Sequence, residues 1–148
     1  MRLILPARLR ARIEDEARAA FPRECCGLIE GRRRGEIAEA VMLHPARNIA
    51  LNQDRFEIHP EDHFAALKAA RAEGRAVIGC YHSHPNGAPA PSATDRDGGG
   101  EEGFLWLVAA LARAEGPVAL GAFAYTAAGF SYVGLDGPWG ADLVTSSA

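Results

Sequence analysis

Residues 76–85 read Ala-Val-Ile-Gly-Cys-Tyr-His-Ser-His-Pro and place two histidines at the end of an apolar run. The run is short, partly β-branched and aromatic, which is typical of a buried β-strand. Because alternate residues of a strand point to the same side, His82 and His84 are predicted to project together. Pro85 cannot donate a hydrogen bond to a sheet and is predicted to end the strand.

A second polar motif follows after a short loop. Residues 86–91 form a loop by composition, and Ser92 is then predicted to cap a helix whose first turn holds Asp95. Two imidazoles and one carboxylate close together in sequence are a plausible set of three metal ligands. Three protein ligands leave one position open for water, which is typical of catalytic zinc. The sequence therefore predicts one Zn²⁺ held by His82, His84 and Asp95.

Each half of this pattern also has a simpler explanation. Ser92 and Asp95 match a plain helix-capping arrangement, and the two histidines are compatible with ordinary buried or exposed side chains. Each explanation accounts for only half of the pattern, so the whole pattern favours a metal site. Cys80 shares the strand parity of the histidines and is a conceivable fourth ligand. A core position is favoured, because free cysteine is among the most buried residue types.

The pattern H-x-H-x7-S-x-x-D resembles the signature of the JAB/MPN/JAMM metalloproteases, and most closely their short, stand-alone prokaryotic members. That signature includes an upstream glutamate, which Glu24 supplies within residues 22–31, Pro-Arg-Glu-Cys-Cys-Gly-Leu-Ile-Glu-Gly. All five positions match in order and spacing, and the resemblance extends over residues 3 to 135. It implies that Glu24 is the general base and that Ser92 donates a hydrogen bond to the scissile carbonyl.

The resemblance also implies a substrate. Family members hydrolyse the peptide or isopeptide bond after the Gly-Gly tail of a ubiquitin-like protein, and the short prokaryotic ones resemble processors of ubiquitin-like sulfur-carrier proteins. Such a tail suits a narrow groove, because only glycine lets a backbone approach so closely, and it could add as a strand beside the site. Two alternatives stay open: an inactive, scaffolding MPN-type binding module and an amidase acting on another peptide.

Composition bounds the remaining possibilities. The chain has 148 residues, 48% of them hydrophobic and 24% charged, which is ordinary for a globular protein. We expect one domain over residues 1–137 and a flexible tail over residues 138–148. The net charge of −3 argues against a general nucleic-acid binder. No apolar run has the length of a membrane span or a signal peptide, so we expect a cytoplasmic protein without a membrane partner.

The order of the predicted elements indicates an α+β fold. Helices are expected at residues 7–21 and from residue 60 to Gly74, and strands at residues 3–5, 24–31, 36–43, 55–58, 76–83, 104–111, 118–125 and 130–135. Residues 105–112 would also suit a helix. This mixture indicates a curved, mixed sheet flanked by helices, and the family resemblance implies the cytidine-deaminase-like JAB/MPN architecture.

Two further polar features are assigned no catalytic role. Residues 32–35, Arg-Arg-Arg-Gly, are predicted to form a solvated hairpin turn between two strands. His59 and His63 have the spacing of a zinc-binding pair on a helix. Pro60 places His59 before the helix proper, so a capping or surface role is favoured.

Overall fold

The computed structural model describes residues 1–98 and 100–137, which form seven strands and three helices. In chain order these elements are β1 (Arg2–Ile4), α1 (Ala7–Ala20), β2 (Cys26–Arg34), β3 (Ile37–Ala46), α2 (Pro60–Ala72), β4 (Ala76–His84), α3 (Ala93–Gly98), β5 (Leu105–Ala110), β6 (Ala119–Thr126) and β7 (Gly129–Asp136). The tail predicted at residues 138–148 lies outside the described residues. Among the described helices, none has the length and apolar character needed to cross a membrane.

The strands form one mixed sheet that closes into a barrel in the order β1-β3-β2-β4-β5-β6-β7. The short strand β1 closes the barrel, because it pairs in parallel with both β3 and β7. Arg2 and Asp136 form an ion pair across the seam between β1 and β7. The predicted α+β mixture is confirmed. The sequence predicted a curved sheet but not its closure into a barrel. Closure depends on the pairing of β1 with β7, which lie far apart in the sequence and are not linked by any local pattern.

Two hydrophobic clusters lie on opposite faces of the sheet. Alternate residues of β5 enter different clusters: Leu105 and Leu107 belong to the larger one and Trp106 to the smaller one. The larger cluster includes the buried side of α1. The smaller cluster includes Ala66 of α2 and Cys80 of β4. Cys80 is therefore a core residue, as favoured from the sequence.

Close packing of β2 against its surroundings depends on Gly27. A Cβ atom at this position would lie only 2.4 Å from Cζ of Tyr81. Tyr81 is fully buried and donates its hydroxyl hydrogen bond to Oε1 of Glu16 at 2.7 Å. The absence of a side chain at Gly27 lets the start of β2 lie beside the end of β4, where Cys26 pairs with His82. This register brings the segment around Glu24 to the predicted metal ligands.

Two details of the predicted elements are wrong. Residues 55–58 form no strand, because only Ile58 makes an isolated bridge, to Asn48. The arginines at positions 32–34 belong to the end of β2, and the turn comes at Gly35, whose φ of 57° suits glycine. β2 continues that far because β3 remains its partner up to Ile37. The arginines are exposed, as expected.

Candidate metal centre

Three ligand atoms converge where β4 ends and α3 begins. Nε2 of His82 lies 3.0 Å from Nε2 of His84, and Oδ2 of Asp95 lies 3.1 Å and 3.0 Å from these two atoms. A tetrahedral shell with bonds of about 2.0–2.1 Å separates its ligand atoms by about 3.3 Å. The three side chains, all buried, therefore already have nearly the spacing that a tetrahedral metal ion requires.

Neighbouring groups orient both imidazoles. Nδ1 of His84 lies 2.9 Å from the carbonyl oxygen of Ala88, which assigns the proton to Nδ1 and leaves Nε2 as the ligand atom. The ring of His82 stacks on Phe56 with centroids 4.3 Å apart, and Trp106 meets it edge-on at 5.6 Å. Burial lowers the pKa of His82, which favours the neutral imidazole that metal binding needs.

Asp95 is fixed by the start of α3. The backbone N–H of Ser92 donates to Oδ2 of Asp95 at 2.8 Å, and the backbone N–H of Asp95 donates to Oγ of Ser92 at 3.1 Å. The capping interpretation of these residues is thus confirmed, and it is compatible with metal binding. Burial alone would raise the pKa of Asp95, but hydrogen bonds with His82 and His84 hold that pKa well below its usual range. The carboxylate is therefore charged at neutral pH.

Glu24 approaches the same centre from the segment before β2. Its side chain is 5% exposed, and among the described residues its Oε1 has no hydrogen-bond partner. Ligand atoms of Glu24, His82 and His84 all lie within 4.8 Å of one another. Burial raises the pKa of Glu24 to about 7, against the opposing charge of His84. A carboxyl group with this pKa can both accept and release a proton near neutral pH.

A small cavity opens onto these groups. Its volume is about 120 Å³, and its lining consists of Glu24, Asp54, His84, Pro85, Asn86 and Ser92. Because Oγ of Ser92 accepts the N–H of Asp95, the hydroxyl hydrogen is left to donate elsewhere. A larger cavity of about 510 Å³, beside α2 and residues 100–104, is lined by none of the five predicted site residues. The smaller cavity is therefore the one that adjoins the predicted site residues.

The donor set fits a zinc ion. Two trios are geometrically possible, since Glu24 and Asp95 both approach the two histidines. Asp95 is the closer carboxylate, since its Oδ2 lies 3.1 Å from Nε2 of His82 and 3.0 Å from Nε2 of His84. Two imidazoles and one carboxylate are a common ligand set of catalytic zinc.

Some residues around the centre could not be predicted from the sequence. Phe56 lies in a segment that the alternation pattern wrongly assigned to a strand. Asn48 and Asp54 lie outside the predicted helices and strands, and neither belongs to a recognisable motif. The only sequence signal is the aromatic side chain of Phe56, which by itself indicates core packing rather than contact with a histidine.

Family, sequence and structure comparisons each find known proteins that are similar to this chain. Residues 6–122 match the profile of the family described as prokaryotic homologs of the JAB domain. A desampylase from Haloferax volcanii is 35% identical over 112 residues, which cover 72% of this chain and 79% of that protein. A probable TtuB-protein conjugate cleaving protease from Thermus thermophilus is 36% identical over 75 residues, covering 50% and 47%. The solution structure of a Desulfitobacterium hafniense protein, 26% identical, superposes with a TM-score of 0.82 over 91% of this chain and 92% of that one.

Proposed function

The chain belongs to the prokaryotic homologues of the JAB domain, and on this basis we propose that it is a zinc-dependent metalloprotease. The proposed reaction is hydrolysis of the peptide or isopeptide bond after the Gly-Gly tail of a ubiquitin-like sulfur-carrier protein. The observation that carries the proposal is the convergence of His82, His84 and Asp95 beside the buried Glu24. Two relatives, a desampylase and a probable TtuB-protein conjugate cleaving protease, support the substrate class.

Each site residue has a distinct role in this proposal. His82, His84 and Asp95 hold the zinc ion, which would lower the pKa of a coordinated water towards about 7 and polarise the scissile carbonyl. Glu24 accepts the proton of the attacking water on its carboxylate and then donates it to the leaving nitrogen. The Ser92 hydroxyl donates a hydrogen bond to the carbonyl oxygen as negative charge develops there.

The small cavity restricts what can reach these groups. The cavity of about 120 Å³ beside Glu24, His84 and Ser92 supports a slender substrate segment, and a Gly-Gly tail has no side chains to exclude. We also propose a cytoplasmic location and a partner that is neither nucleic acid nor membrane, in keeping with the net charge of −3.

The direct test uses a sulfur carrier from the same organism, extended by a few residues after Gly-Gly. We expect the zinc-loaded protein to remove the extension, which intact-mass spectrometry would detect as loss of the added mass. Glu24→Gln should retain zinc and lose turnover, because the amide cannot accept the proton. Glu73→Gln, the same change at an exposed position at the end of α2, should behave like the unmodified protein.

Two results would each contradict one part of the proposal. If the carrier stays intact after incubation with the zinc-loaded protein, the protein acts on another class of amide or serves only as a binding module. Full turnover by Glu24→Gln would still be compatible with a protease but would show that Glu24 is not its general base.

A further inference from the structure

One amide side chain joins the candidate base to the segment that covers the metal centre. Nδ2 of Asn48 donates to the carbonyl oxygens of Glu24 at 2.9 Å and Arg55 at 3.2 Å. Oδ1 of Asn48 accepts the backbone N–H groups of Ala50 and Glu57, both at 3.0 Å. An asparagine amide has two donor hydrogens and two acceptor sites, so its whole hydrogen-bonding capacity is used here.

The segment that Asn48 organises, residues 48–58, will be called the covering segment. It carries Phe56, whose ring lies on the candidate ligand His82 at 4.3 Å and 20°. The covering segment includes no strand, and its backbone is held by the isolated bridge between Asn48 and Ile58. A further bond runs from the Arg23 guanidinium to the carbonyl oxygen of Ala50 at 3.1 Å. With so few backbone contacts, the Asn48 side chain is the principal tie between this segment and Glu24.

We infer that Asn48 is a positioning residue that fixes both Glu24 and Phe56 relative to the metal ligands. The inference rests on the proposed function, in which Glu24 is the general base. Asn48 does not line the small cavity, so it acts through its neighbours rather than on the substrate. Because the reacting groups must hold their alignment closely, a displacement of about 1 Å can reduce turnover about 100-fold.

Substitutions at Asn48 separate the donated bonds from the accepted ones. Asn48→Asp has nearly the same shape and keeps two acceptor oxygens, but it loses both donors and brings a carboxylate oxygen against the carbonyl of Glu24. Asn48→Ala removes all four bonds without adding charge, and serves if the first variant fails to fold. Asn52→Asp makes the same chemical change at an exposed position of the covering segment and is the matched control.

Two readouts test the inference on zinc-loaded protein. The first is kcat and KM on the carrier extended after Gly-Gly. We expect kcat of Asn48→Asp to fall about 10- to 100-fold with a much smaller change in KM, since the base is displaced while the other residues that line the small cavity keep their places. The second is the NMR resonances of the His82 ring protons, which the stacked Phe56 ring shifts. We expect these resonances to move in Asn48→Asp and to stay in place in Asn52→Asp.

The outcomes distinguish this inference from the proposed function. Unchanged kcat together with unchanged His82 resonances in the folded Asn48 variants would overturn the inference and leave the protease intact. A wild-type chain that leaves the carrier uncut would overturn the proposed function. Shifted His82 resonances in the Asn48 variants would still support the positioning role in that case. A lower melting temperature of the Asn48 variants, with kcat and KM unchanged, would show that Asn48 only stabilises the fold.

Discussion

At the scale of single residues, the pKa values of two neighbouring buried carboxyl groups shift in opposite directions. Among the described residues Oε1 of Glu24 has no hydrogen-bond partner, and burial raises the pKa of Glu24 to about 7. Asp95 is also buried, but hydrogen bonds with His82 and His84 hold its pKa well below its usual range. Two carboxyl groups whose pKa values are pushed apart are suited to different tasks. In this account Asp95 stays charged as a ligand while Glu24 carries the proton.

Ser92 is predicted to contribute to turnover beyond its role as a helix cap. Ser92→Ala removes the hydrogen bond to the substrate carbonyl, and loss of one such donor typically lowers kcat about 10²–10³-fold. Loss of the cap should cost only about 1 kcal/mol of folding free energy. Ser92→Thr keeps a hydroxyl for both tasks and should restore most of the activity. Steady-state kinetics at matched zinc occupancy make the comparison, and a wild-type kcat in Ser92→Ala would exclude the oxyanion role.

The residues of the site differ in how far sequence could predict them. His82 and His84 follow from strand parity, and Ser92 and Asp95 from capping chemistry, because these signals are local. Glu24 is recognised only through the family resemblance, since a lone glutamate before a strand has no distinguishing pattern. The contacts of Phe56 and Asn48 cannot be predicted from the sequence, because they depend on the path of an irregular segment across the sheet.

At the scale of elements, a polar cluster ties Glu30 of β2 to His44 of β3 and to Arg75, which directly precedes β4. Glu30 is 1% exposed and accepts hydrogen bonds from Nε2 of His44 at 2.8 Å and from Nε of Arg75 at 2.6 Å. The strand register shifts next to Glu30 in both pairings of β2, with β3 and with β4. The cluster thus stabilises an irregularity in the strand that follows Glu24.

This cluster predicts a pH dependence of stability. Burial alone would raise the pKa of Glu30, but hydrogen bonds from His44 and Arg75 hold it below its usual value of 4.5. Because the folded-state pKa is the lower one, the carboxylate stabilises the fold above pH 4.5 and loses this contribution as pH falls further. Glu30→Gln should therefore reduce the free energy of unfolding by about 3 kcal/mol at pH 7, and by progressively less below pH 4.5.

Urea denaturation over this pH range measures the effect. Glu39→Gln makes the same change at a position of β3 whose side chain is 44% exposed and where the carboxylate meets Arg32 only at 3.5 Å. We expect that control to change stability little at any pH. A Glu30→Gln deficit that stays constant from neutral pH down to acid would show that the charge of Glu30 is not the stabilising feature.

At the scale of the whole molecule, the barrel brings distant parts of the chain to one point. Glu24 precedes β2, the histidines end β4, and Asp95 lies in α3. Local periodicity predicted most of these elements, including the strand that became β5. It could not predict that β1 would pair with β7, because pairing partners depend on contacts between the two ends of the chain. The candidate site depends on β2 lying beside β4, a pairing that is also non-local.

The most direct test of the account is a zinc titration, against a competing chelator, of the wild-type protein, Asp95→Ala and Glu24→Gln. We expect one zinc per wild-type chain and unchanged zinc affinity in Glu24→Gln. We expect zinc affinity to weaken by more than about 100-fold in Asp95→Ala, since losing a ligand should cost more than losing a residue that only supports one. If zinc affinity fell more in Glu24→Gln than in Asp95→Ala, Glu24 would be the third ligand and could not be the proposed general base. A wild-type chain that binds no zinc would contradict the metalloprotease altogether.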